Sequence, residues 1–283
     1  LFRRKPNLQA PARRGIFEDM GRYSIILAIL ATAYVLACLY LYRRQQSLLY
    51  QPEPMLNDKQ TDLVFVRSGQ GLSGWIDNPG QANALVYYGG ASESIELRRA
   101  ELAQHFPTHT RYLVPYRGFG PNAHLSPSES ELKADAAALF SAALEHHNCI
   151  DIIGRSLGTS MASHVAARLP VHRLVLITPF HSAIAVAQDR YRWFPMRRIV
   201  RDWHEIWRDV DRIEIPVLTC LATLDDVTPH KFWEMLRGHF KVDPAIYWDE
   251  EDHRLIVEAG RIWPIIVDFL ADDPSAQHTP ANS

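Results

Sequence analysis

The sequence predicts an α/β protein, a mostly parallel sheet with helices on both faces, preceded by one membrane-crossing helix. Three observations carry this. From about residue 61, short runs rich in Val, Ile, Leu and Tyr alternate with helix-like stretches, the pattern of strands joined by crossover helices. Residues 149–160 read as one buried strand, one tight turn and the opening of one helix. Residues 23–42 contain no charged side chain, and about 20 apolar residues span the roughly 30 Å hydrocarbon layer. The chain has 283 residues and a formal net charge of -2, enough length for one large domain and no basic stripe to hold nucleic acid. Cys38, Cys149 and Cys220 lie in or beside apolar runs and outline neither a disulfide framework nor a metal site.

In chain order, residues 1–22 form a basic tail and 23–42 the membrane anchor, bracketed by Arg22, Arg43 and Arg44 with Tyr23, Tyr40 and Tyr42 at its edges. The run is apolar on every side, unlike an amphipathic core helix. Ala31-Thr32-Ala33 has the form of a signal-peptidase site, but the apolar run continues to Leu41, so an uncleaved signal-anchor fits better. The tail's arginines favour an exported domain. Met20-Gly21-Arg22 has the look of a natural start, and without residues 1–19 the balance of Arg43 and Arg44 over Arg22 favours a cytoplasmic one. Residues 43–60 read as a polar, proline-containing linker, 61–271 as the α/β domain and 272–283 as a disordered tail.

Within the domain, residues 63–66 and 74–77 predict an antiparallel hairpin, 84–88 a buried strand, 95–106 a helix and 111–115 a strand. Ser126-Pro127-Ser128-Glu129 predicts a capping box with proline at the first helical position, opening a helix to about His146. Strands follow at 174–178, 217–221 and 245–248, with helices at 230–240 and, in one piece, about 255–270. Residues 181–215 are too long for a simple crossover and predict one or two cap helices. Their Tyr191, Trp193, Phe194, Trp203 and Trp207 are expected to line a pocket, and their arginines to suit anionic lipid. His146-His147 beside Cys149 marks a helix end running into a strand.

In an open parallel sheet, chemistry collects beyond the carboxyl ends of the strands. The turn Gly154-Arg155-Ser156-Leu157-Gly158 has the G-x-S-x-G form, in which a strained turn leaves no room for bulk two residues either side of the serine. After residue 88 come Gly89-Gly90-Ala91, and the backbone N–H groups of Ala91 and Leu157 are candidates for an oxyanion hole. After 221 comes Asp225, with Asp226 its nearest competitor. After 248 comes His253, ahead of His230 and His239, which fall at or within a helix. A serine hydroxyl needs an imidazole to take its proton and a carboxylate to hold the ring's tautomer, which makes Ser156, Asp225 and His253 the candidate catalytic set. No cofactor or metal is expected.

These stretches resemble the α/β-hydrolase family over about residues 45–270. The resemblance is to its membrane-anchored serine hydrolases, related to depalmitoylase-like and serine-aminopeptidase-like enzymes. It rests on Tyr87-Tyr88-Gly89-Gly90, Tyr116-Arg117-Gly118-Phe119-Gly120, the Ser156 turn, Thr178-Pro179-Phe180 and Leu224-Asp225-Asp226-Val227-Thr228-Pro229. It implies the same three side chains and an acyl-enzyme route on esters or thioesters, with a small-molecule or lipid-like acyl substrate. An amide or peptide substrate, or a non-catalytic membrane-tethered binding module, are the alternatives. The chain departs from the family at Ala91, where Asn is common, at Glu250-Glu251-Asp252 before His253, where Gly-x-Gly is usual, and at Leu221-Ala222, where His-Gly is usual. Nothing in the sequence assigns an oligomeric state.

Overall fold

The computed structural model describes residues 13–51 and 61–271. The basic tail through residue 12, the linker at 52–60 and the tail at 272–283 lie outside them. The chain divides into two compact units, residues 1–45 and 46–283. The first is occupied by helix α1, Arg13–Tyr50, which ends in the second unit. Its portion Arg22–Tyr50 has a mean hydropathy of 2.3 over its most apolar window and is long and apolar enough to cross a membrane. The helix overruns the apolar run at both ends, so residues 43–50, expected in the linker, are its last turns. Pro52 in the sequence sets its limit, because proline has no N–H for the helical ladder and disfavours helix at the residue before it.

The second unit is an eight-stranded sheet in the order β1-β2-β4-β3-β5-β6-β7-β8. β1 (Asp62–Arg67) and β2 (Gln70–Asp77) are antiparallel, β2 joins β4 (His109–Leu113) antiparallel, and the rest is parallel. The hairpin turn is only Ser68-Gly69, both at positive φ, so β2 starts earlier than the glycine content suggests. β3 (Asn83–Tyr88) lies at the centre and shows how both faces are buried: Ala84, Val86 and Tyr88 enter one core, Leu85 and Tyr87 the other. The first core is closed by α3 (Glu129–Leu144), α4 (Gly158–Ala166) and α8 (His230–Arg237). The second is closed by α2 (Ile95–His105), α9 (Leu255–Glu258) and α10 (Ile262–Ala271). β5 (Cys149–Arg155), β6 (Leu174–Ile177), β7 (Val217–Ala222) and β8 (Ala245–Asp249) complete the sheet.

Three local expectations are corrected. The cap of α3 is Ser128, whose hydroxyl accepts the Glu131 N–H at 3.4 Å. Pro127 therefore stands outside the helix, and Glu129 is free to bind elsewhere. The helix expected over 255–270 is two, because Gly260 adopts φ +75 and Pro264 belongs in the first turn of a new helix. The segment between β6 and β7 holds three short helices, α5 (Ala183–Arg190), α6 (Met196–Ile199) and α7 (Trp207–Val210), because Pro195 and the φ of +43 at His204 interrupt it twice.

Candidate active site

The site is built at the carboxyl ends of β5, β7 and β8. β5 runs into Ser156, which takes φ +48, a left-handed conformation costly for a residue with a Cβ. Its N–H is tied to Ile177 O at 2.9 Å, and its C=O accepts Thr159 N–H at 2.9 Å. A Cβ on Gly154 would stand 2.6 Å from that of Ala162, and one on Gly158 would strike Tyr88 O. Glycine at both positions is thus a packing requirement of the turn.

Ser156 Oγ lies 2.9 Å from His253 Nε2, and His253 Nδ1 lies 2.7 Å from Asp225 Oδ2. An ionised carboxylate can only accept, so Nδ1 carries the proton and Nε2 is left to accept from the serine hydroxyl. Asp225 is oriented by its own loop: its Oδ1 accepts the N–H of Val227 at 2.9 Å and of Thr228 at 2.7 Å, and its Oδ2 accepts the Thr228 hydroxyl at 3.0 Å. Burial pushes its carboxyl up, but the hydrogen bond and charge of His253 and the two Thr228 donors outweigh this and hold it below the ordinary carboxylate value. Asp226 points to solvent. His230 packs on Trp248 and His239 on Trp207, and among the described residues the histidine hydrogen-bonded to Ser156 is His253.

Of the acidic residues before His253, Glu251 and Asp252 are committed elsewhere. Glu251 pairs with Arg261 at 2.6 Å, and Asp252 accepts the N–H groups of Arg254 and Leu255 at the start of α9.

One group was missed in the sequence. Glu93, with only 3% of its side chain exposed, binds Arg98 at 2.9 Å and Arg155 at 3.0 Å, accepts the Tyr87 hydroxyl at 3.0 Å and takes the Gly90 N–H at 2.7 Å. Arg155 also donates to His253 O at 3.3 Å. A single buried carboxylate thereby fixes the glycine loop after β3 and, through Arg155, touches the backbone of the histidine. With Gly90 N–H engaged, the next N–H, that of Ala91, donates to no acceptor among the described residues, and neither does that of Leu157. Gly90 stands beside the serine, since a Cβ there would lie 3.6 Å from Ser156 Cβ.

Gly90 also lines an open cleft together with Trp75, Gly89, Ile95, Tyr116 and Phe119. The five aromatic residues expected from 181–215 do not line it, because it lies between the loops after β3 and β4. Among the described residues, the side chains of Cys149, Asp151 and His172 also converge. There His172 Nδ1 already occupies Asp151 Oδ1 at 2.9 Å, at the opposite end of β5 from Ser156. His147 is held between Tyr112 Oη and Gln81 O, at 3.0 and 2.9 Å.

The strand order and the turn at Ser156 define an α/β-hydrolase fold. The esterase Pf2001 of Pyrococcus furiosus superposes with a TM-score of 0.60 at 13% identity, over 77% of this chain and 96% of the esterase. The enol-lactonase of Burkholderia xenovorans superposes with a TM-score of 0.58 at 16% identity, over 75% of this chain and all of the lactonase (100%). In sequence the chain is 28% identical over 228 residues to the uncharacterized protein Rv2307c of Mycobacterium tuberculosis, covering 75% of this chain and 80% of that protein. No protein-family model matches the chain.

Proposed function

We propose that this protein is a serine hydrolase that cleaves carboxylic esters or thioesters through an acyl-enzyme on Ser156, held at a membrane by residues 23–42. The observation that carries the reading is the unbroken hydrogen-bond chain from Ser156 Oγ through the His253 ring to Asp225. The folds of an esterase and a lactonase superposing on this chain are in keeping with it. The anchor rests on the length and composition of Arg22–Tyr50, which a signal sequence shares.

In this mechanism His253 Nε2 takes the serine proton as Oγ attacks the substrate carbonyl, and Asp225 stabilises the imidazolium that forms. The N–H groups of Ala91 and Leu157 receive the negative charge developing on the carbonyl oxygen. Each such donor is worth about 3 kcal/mol of barrier. Collapse of the tetrahedral intermediate expels the alcohol or thiol, protonated by His253, and leaves the acyl group on Ser156. Water then repeats the sequence with the same base. The cleft beside Gly90 offers the acyl or leaving group an apolar wall of Trp75, Ile95 and Phe119.

Turnover of p-nitrophenyl esters, acyl thioesters and aminoacyl amides by the detergent-solubilised chain, beside Ser156→Ala, tests the reading. It expects ester or thioester hydrolysis that disappears in the variant. Hydrolysis of amides alone would move the substrate class, and turnover that survives in the variant would end the assignment.

A further inference from the structure

The segment from Asp189 to Asp202 has no role in the hydrogen-bond chain of the site. It carries Arg190, Arg192, Arg197, Arg198 and Arg201 against two aspartates. All five arginines are exposed. Asp189 is engaged by Lys231 and Asp202 by the Tyr50 hydroxyl at 2.8 Å. Among the described residues, Arg190, Arg192, Arg197 and Arg198 form no salt bridge. Within this basic run Trp193 is 79% exposed, the most exposed large hydrophobic side chain in the described structure, with the Arg192 guanidinium 5.5 Å from its ring centre. Met196 and Ile199 are buried beneath, so the short helix α6 is pinned while its Arg197 and Arg198 point to solvent.

An exposed tryptophan beside several exposed arginines, four of which form no salt bridge among the described residues, has the chemistry of a surface that meets a lipid headgroup layer. Guanidinium groups pair with lipid phosphates, and the indole sits at the boundary of headgroup and acyl chain. A second observation lies within the second unit. Tyr50, fully buried, is the last residue of α1, and its hydroxyl reaches Asp202, the neighbour of Arg201.

We propose that residues 190–201 dock on the surface of an anionic bilayer, with Trp193 entering the interface and the arginines engaging lipid phosphates. The occupant is the lipid layer itself. The inference rests on the membrane reading given above, and it adds a dependence on lipid charge that an anchor alone does not produce.

The test uses the full chain reconstituted into vesicles with brominated acyl chains, of phosphatidylcholine alone or with about 30 mol% phosphatidylglycerol. Bromine quenches indoles that reach the acyl boundary, and residues 23–42 contain no tryptophan, so the quench reports the domain. The expected result is quenching in the anionic vesicles that falls by about half or more in Trp193→Phe and approaches the phosphatidylcholine level in the Arg192→Ala, Arg197→Ala, Arg198→Ala triple variant or at high salt. Both variants change exposed side chains, and unaltered circular dichroism shows that each is folded. Equal quenching in both lipids, or no effect of Trp193→Phe, would overturn the proposal, as would a chain indifferent to both lipids. Release of the chain by alkaline carbonate would retire the anchor separately, and quenching on externally added vesicles would still decide the docking surface.

Discussion

Two serine–histidine pairs stand one helical turn apart around α4, and they are built for opposite ends. Ser156 is half-buried, and its partner His253 has a carboxylate directly on Nδ1 at 2.7 Å. Ser160 is fully buried, and its partner His204, also fully buried, meets Ser160 Oγ at 2.9 Å through Nδ1 and the Tyr50 hydroxyl at 3.3 Å through Nε2. Among the described residues, no carboxylate is hydrogen-bonded to the His204 ring. Glu129 instead accepts the backbone N–H groups of Trp203 and His204, at 2.8 and 3.0 Å. Burial drives the His204 pKa down to about 4, outweighing the attraction of Glu129. The same two residue types thus give a candidate proton acceptor where a carboxylate and an opening are present, and a neutral structural strut where they are not.

The largest expected contrast separates the two serine–histidine pairs. His253→Ala lowers hydrolysis by about 10⁴-fold with the protein still folded, whereas Ser160→Ala changes it by no more than about threefold and shows instead as about 1 kcal/mol in denaturant unfolding. The next contrast lies within one loop. Asp225→Asn removes the partner that fixes the His253 tautomer and costs about 10⁴-fold in kcat, while the exposed Asp226→Asn leaves kcat within about twofold. Equal effects of the two asparagine variants would end the present assignment.

A smaller effect is read in pH. His204 binds its proton only near pH 4 when folded, while an unfolded histidine does so near 6.5. Stability from this group is therefore intact above about pH 6.5 and falls as the pH drops toward 4, by about 3 kcal/mol. His204→Gln flattens that slope in urea titrations across the window, and an unchanged slope would remove His204 as the cause. The smallest effect belongs to Tyr50→Phe, which leaves Asp202 and His204 without their shared hydroxyl. It lowers unfolding stability by about 1 kcal/mol with kcat unchanged.

The same contrast explains what was legible in the sequence. Ser156, Asp225 and His253 are each found locally, because each follows a recognisable strand end, and the parallel sheet aligns those ends. Between Asp225 and Asp226, the inward direction of Asp225 is set by the Val227 and Thr228 N–H groups of its own loop. Glu93 with Arg155, and Tyr50 with His204, were hidden because each pair joins distant segments, 154 residues apart in the second case, through buried polar contacts that leave no periodic trace. The fold class was readable from the alternation of strands and helices. The misread boundaries, at Ser128, Gly260 and the two breaks in 181–215, lie where one glycine, proline or cap decides between two registers.

The most direct test of the account is to locate the covalent adduct left by a fluorophosphonate probe through peptide mass spectrometry. Both serines fall in the stretch from Ser156 to Ser160, so fragmentation must resolve them. The adduct is expected on Ser156, disappearing in His253→Ala and persisting in Ser160→Ala. An adduct on Ser160, or a folded protein that takes up no probe, would contradict it.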